Sequence, residues 1–157
     1  MGDLRDTFQA AVDDTWSTAN GSIDGRPSMV RYRPGLSSTL GHPALPRRLL
    51  ITWEYGDDGD SGLPKDETEL HAFESALHAA LDRDRTAVLA FVFTHLGVRE
   101  WHYYVNDLDV VGDKINEALA DQPDLPISIK AFDDPEWTEL ASVLRRIHGA
   151  PAERRYG

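Results

Sequence analysis

Between Arg47 and Phe132 the hydrophobic pattern runs strand-helix-strand-strand-helix-strand, which predicts an α+β domain with a ferredoxin-like split βαβ core. Three observations carry this expectation. Apolar residues alternate in "RRLLITWEY" and in "VREWHYYV"; two other segments repeat apolar residues at helical spacing; and "AVLAFVFTHL" is apolar on both faces, as a strand covered from both sides must be. An N-terminal β-hairpin precedes this core and a C-terminal helix follows it.

Taken in order, residues 1–15 read as a helical extension with Leu4, Phe8, Ala11 and Val12 on one side. Trp16 to Ile23 and Pro27 to Arg33 read as the two strands of a hairpin, because Asp24-Gly25 is a strong two-residue turn signal. A Gly/Ser/Pro-rich loop over 34–46 is long enough to move. The strand over 47–55 puts Leu49, Ile51, Trp53 and Tyr55 on one face, and Asp66 with Glu69 forms a capping box for the next helix. That helix carries Leu70, Phe73, Leu77 and Leu81 as its apolar stripe. The strands over 87–96 and 98–105 pair through a Leu96-Gly97 turn. Val111, Ile115 and Leu119 define a second core helix, capped by Asn106 or Asp107. A last strand spans 126–132. "DDPEW" then reads as a helix start, with an Asp cap, Pro135 at the first helical position and Glu136 in the first turn. Residues 16–148 make a single domain and 149–157 a flexible tail. Right-handed crossovers put both core helices on one sheet face. The same order leaves the strand over 87–96 at an edge, so the hairpin or a second copy of the chain is expected to cover it.

Composition narrows the function classes. A formal net charge of −11 argues against nucleic acid and against anionic lipid as partners. Without cysteine, disulfides, thiolate catalysis and Cys-ligated zinc are excluded. The first residues lack the apolar core of a secretory signal and no run is long enough to span a membrane, so a cytoplasmic protein is expected.

Candidate chemistry is sparse. Glu67, His71, Glu74 and His78 share a helical stripe that could ligate a metal, but the stripe reads as a solvated polar face. Ser61 in "GDSGLP" has no accompanying base. Glycines in "GSIDGRP" do not form a phosphate-binding loop. Neither catalytic residues, a metal nor a cofactor is expected. Strand alternation instead places Arg31, Arg33, Glu54, His102 and Tyr104, with Thr52 and Lys130, on the sheet face opposite the core helices, where they form a candidate recognition surface. Arg99 joins them as a candidate binding residue, though it is expected chiefly to clamp two strand ends near Glu54, Asp57 and Asp58, with Glu100 facing the other way beside His102. Arg47 and Arg48 are expected near Asp133 and Asp134.

"WSTANGSIDGRPSMVRYR", "LGVREWHYYV" and "DDPEWTEL" resemble the three signatures of the bacterial "domain of unknown function 695" family, from about Trp16 to Ile147. The middle signature is matched by Gly97, Arg99, Glu100, Trp101 and Tyr104, and the last by Asp134, Pro135, Glu136 and Trp137. The family is similar in architecture to the "regulator of ribonuclease E activity B" inhibitors. The resemblance implies a non-catalytic protein-interaction or regulatory module, with a protein partner or self-association through an edge strand. The alternative is a small-molecule-binding or enzymatic module, its pocket between the 34–46 loop and the open sheet face.

Overall fold

In the computed structural model, residues 16–56, 64, 67–82, 87–121 and 125–149 are described. They form six strands: β1 Ser17–Ile23, β2 Arg26–Tyr32, β3 Arg47–Glu54, β4 Ala87–His95, β5 Val98–Val105 and β6 Ile127–Asp133. With them are helices α1 Thr68–Asp82, α2 Leu108–Ala118 and α3 Thr138–Gly149, and a 3-10 helix over Pro34–Thr39. The strands make one sheet in the order β1-β2-β4-β5-β3-β6, every pair antiparallel. The expected helix over 3–14, the Asp66 cap, the loop containing Asp57, Asp58 and Ser61, and the tail beyond Gly149 lie outside the described residues. None of the helices among the described residues is long and apolar enough to cross a membrane.

Both hairpins close as turn chemistry dictates. Asp24 and Gly25 have φ of 53° and 78°, and Leu96 and Gly97 have φ of 45° and 87°. Two consecutive left-handed residues match the right-handed twist of the flanking strands, and glycine takes the second position without a Cβ penalty. The first hairpin then docks on β4 through β2. The β4 edge is thereby covered within the chain.

The sheet is packed on both faces. On one, Leu49, Ile51 and Trp53 of β3 and Trp101, Tyr103 and Val105 of β5 meet Leu70, Phe73, Leu77 and Leu81 of α1 and Val111 and Ile115 of α2. On the other, Tyr32, Val88, Ala90, Phe91 and Tyr104 meet Leu36, Leu45 and the α3 residues Trp137, Leu140 and Leu144. A register shift between Leu89 and Phe91 lets Ala90 and Phe91 both join this second layer. That bulge re-aims the rest of β4, so Val92 and Thr94 face α1 while Phe91 and Phe93 face α3.

Two expectations need correction here. Part of the face expected to be open is roofed by α3 and by the 34–46 segment, whose Leu36 and Leu45 are fully buried; apolar anchors in that segment outweigh its turn-rich composition. The C-terminal helix starts at Thr138, not Pro135. Asp134 to Trp137 instead form a turn closed by Trp137 N–H donating to Asp134 O, and Trp137 sits at φ 57°. A bulky residue in the left-handed region is strained. The indole is held there by complete burial, by Nε1 donating to Leu45 O at 2.9 Å, and by a parallel stack on Tyr104 at 4.2 Å. Asp134 still caps the helix across the turn, accepting from Thr138 N at 2.7 Å and Glu139 N at 3.2 Å.

Candidate functional site

β5 carries Arg99 and Glu100 side by side, and strand alternation sends them to opposite faces. Each lines a cavity.

On the α1 face the antiparallel register sets Arg31 of β2 opposite Val92 of β4, and Val92 opposite Trp101 of β5. One step along, Met29 lies opposite Thr94 and Thr94 opposite Arg99. Arg31 and Arg99 therefore stand diagonally across a floor of Val92 and Thr94. The wall is the start of α1, where Glu67, just before the helix, and His71 and Glu74 within it follow at steps of four and three and so share one side. Together they enclose about 360 Å³, within the ~300–1,000 Å³ usual for small-molecule sites.

The two arginines are held in different ways. Arg31 Nη2 donates to Glu74 Oε1 at 2.6 Å, and the same oxygen accepts from Trp101 Nε1 at 2.9 Å. Burial alone would raise the Glu74 pKa, but these hydrogen bonds and the charges of Arg31 and Arg99 hold it below the ordinary carboxylate value. The Trp16 ring lies 5.2 Å from the Arg31 guanidinium and 4.3 Å from that of Arg33. Arg99 Nε donates to Thr94 Oγ1 and its Nη2 to Glu67 Oε1, both at 2.8 Å. The Arg99 side chain is only 4% exposed, whereas that of Glu67 is 38% exposed. A carboxylate that accessible to water is a weak partner.

On the α3 face Glu100 Oε1 accepts from His102 Nε2 at 2.8 Å, while Oε2 lies 3.3 Å from His95 Nε2. Arg48 Nη1 lies 3.1 Å from His102 Nδ1. Guanidinium can only donate, so Nδ1 accepts and the proton of neutral His102 sits on Nε2, toward Glu100. The ring stacks on Phe91 at 4.1 Å. A second cavity of about 180 Å³ opens here beneath α3.

Burial holds the His102 pKa below its usual value, more than offsetting Glu100 and Glu139, while the Arg48 charge adds to the depression. The unfolded chain therefore takes up a proton before the folded one does as pH falls. The stability tied to neutral His102 is full above the unfolded pKa of about 6.5 and is lost as pH drops from there toward the lower folded value. Glu74, Glu100 and Asp134 all have lowered pKa values, so their contribution persists to lower pH and is lost below about 4.5. Thermal melting should thus show two acid-side losses, and His102→Gln should flatten the first only. A melting temperature equally pH-sensitive in His102→Gln would contradict this assignment.

The expected recognition face is not assembled as anticipated. Arg31 and Arg33 lie on the α1 side, because β2 pairs with β4 in the register that aligns Arg31 with Val92. Arg33 is buried and donates to Leu89 O at 3.2 Å. His102 and Tyr104 do face the other side but are buried beneath α3. Glu54 is exposed at the end of β3, Thr52 is half-buried on β3 and Lys130 is exposed on β6, the two strands beyond β5 in the sheet order. Arg99 clamps Glu67, just before α1; Asp57 and Asp58 are outside the described residues. The anticipated ion pairs at the opposite strand end are present, with Arg47 3.8 Å from Asp133 and Arg48 3.5 Å from Asp134. Sequence reasoning left Glu67, His71 and Glu74 as solvent-facing. Their spacing marked one helix side, but no local signal shows that two arginines from distant strands come to meet it.

The model of the "Family of unknown function (DUF695)" matches residues 14–144, most of the chain. This chain belongs to that family. The DUF695 match takes in every strand, α1 and α2, and most of α3. Among curated proteins there is no match.

Proposed function

We propose that this DUF695 chain is a cytoplasmic binding module on a ferredoxin-like core, and that its ligand is a small carboxylate-bearing anion held between Arg31 and Arg99. The strand order β4-β5-β3-β6, with α1 and α2 packed on one face, supports the core assignment.

One observation carries the ligand class. Two arginines line a cavity of ligand size, and the buried one of them is paired with a half-exposed carboxylate that a ligand can replace. Glu67 occupies the place of the ligand's carboxylate. Displacing it returns Glu67 to water, whereas Glu74 stays anchored by Arg31 and Trp101. A guanidinium fork favours planar carboxylates. Thermal-shift measurements with short mono- and dicarboxylates should find stabilisation that Arg31→Met and Arg99→Met each abolish. Stabilisation unchanged in both variants would rule out this site.

A second reading, self-association, rests on β6. Among the described residues this strand pairs only with β3, and it carries exposed Ile129 and Phe132 at that sheet edge. A second copy adding its own β6 there would bury both. Sedimentation equilibrium should then show a dimer that Ile129→Lys dissociates; a monomer at all concentrations would remove the reading.

A further inference from the structure

The α3-side cavity has the opposite chemistry. Its sheet floor is built by the register that sets Val30 opposite Phe93 and Phe93 opposite Glu100, and its roof by Val143 and Ile147 of α3. The floor and roof are apolar, and the single ionised group at the floor is Glu100. Its two carboxylate oxygens lie within hydrogen-bond reach of His102 Nε2 and His95 Nε2, and no guanidinium or ammonium among the described residues is paired with it. Glu139 adds a second carboxylate at the lining, and Arg146, exposed at the rim, is tied to Ser142 Oγ at 3.3 Å. The mostly buried Arg48 is turned toward His102 Nδ1 and Asp134.

We infer that this cavity receives a primary alkylammonium group, its short aliphatic chain between Val30, Phe93 and Val143 and its charged end at Glu100. The match is one of size, polarity and charge. A volume of about 180 Å³ holds a four-carbon chain, comparable with apolar cavities of about 150 Å³ that take a benzene ring. An aliphatic stem against apolar walls with the ammonium at a carboxylate is how a lysine side chain is ordinarily seated. The same ammonium is borne by a free alkylamine and by a lysine side chain of another protein.

The test is a titration of the full ¹⁵N-labelled chain with n-butylammonium, with n-butanol as the uncharged isostere, following backbone amide shifts. Saturable shifts are expected at Val30, Phe93, Glu100 and Val143, with n-butanol at least tenfold weaker and Glu100→Gln weakening n-butylammonium by a similar factor. Equal binding of n-butanol, an unchanged affinity in Glu100→Gln, or no saturable shift at these positions overturns the proposal. Should Glu100→Gln fail to fold, Val143→Trp fills the cavity from the α3 side and must abolish the shifts. A parallel titration with Nα-acetyl-lysine methylamide separates the sources: binding comparable to n-butylammonium supports a lysine side chain, and binding by the free amine alone supports a small-molecule amine.

Discussion

Asp134→Ala should destabilise the fold by about 3–5 kcal/mol, the range for breaking a buried, hydrogen-bonded charge network. Asp134 is 8% exposed and serves four partners. It accepts from Tyr104 Oη at 2.7 Å and from the amides of Thr138 and Glu139, and it faces Arg48 Nε at 3.5 Å. Removing it strips the first turn of α3 of its cap, worth about 0.5–2 kcal/mol. It also leaves the buried Tyr104 hydroxyl without its acceptor, at about 1–3 kcal/mol. Arg48 Nε, buried and without hydrogen-bond geometry to any group, would lose even its ion-pair partner. Asp134→Asn keeps an acceptor for Tyr104 or the cap but drops the charge, and should cost less than half as much. Asp133→Ala is the internal control. Its pairing with Arg47 is long, at 3.8 Å, and both side chains are exposed, so the loss should fall within about 0–1 kcal/mol. Urea denaturation of the three variants checks the order; similar midpoints for Asp133→Ala and Asp134→Ala would show that burial and capping do not set it.

The second large effect concerns ligand affinity and runs in opposite directions at two paired residues. Arg99→Met should abolish carboxylate binding, while Glu67→Gln should strengthen it by about tenfold, equivalent to ~1.4 kcal/mol. The sign follows from Glu67 competing for the same guanidinium. Stability separates the two roles as well. Arg99→Met removes a 4%-exposed side chain bonded to Thr94 and Glu67, so it should cost about 1–3 kcal/mol, more than an exposed pair would. Glu67→Gln should stay within about 1 kcal/mol, because Glu67 is half-exposed and its amide can still accept from Arg99. Calorimetric titration with succinate reads both affinities. If Glu67→Gln weakened binding, Glu67 would be a ligand contact and not a competitor.

Much of the architecture was legible because local rules and global fold agree. Asp24-Gly25 and Leu96-Gly97 fix both hairpins; the stripes of Leu70, Phe73, Leu77 and Leu81 and of Val111 and Ile115 lie in the α1-side core; and Asp107 caps α2, accepting from Asp109 N and Val110 N. What was not legible is the assignment of faces across the hairpin. Nothing local in Val30-Arg31-Tyr32 says which face joins which core; that depends on pairing with β4, more than fifty residues away. Within β4 itself, uniformly apolar residues conceal the bulge at Leu89–Phe91, since periodicity has no contrast to show it. Both cavities depend on that pairing and on that bulge. The left-handed Trp137 was equally hidden, because Pro135 after an Asp is a strong helix-start signal and only the Leu45 carbonyl and the Tyr104 ring account for the extra turn.

The most direct measurement of the central claim is the ¹H–¹⁵N spectrum of the arginine Nε–H groups during titration with succinate. Arg99 Nε–H is buried and donates to Thr94 Oγ1, so its exchange with water is expected to be slow enough for the signal to be followed. The account predicts saturable shifts of the Arg31 and Arg99 Nε–H signals with one common dissociation constant, and an unchanged signal for Arg47 at the far strand end. Shifts spread equally over Arg47 and the other exposed arginines, or none at Arg99, would contradict it.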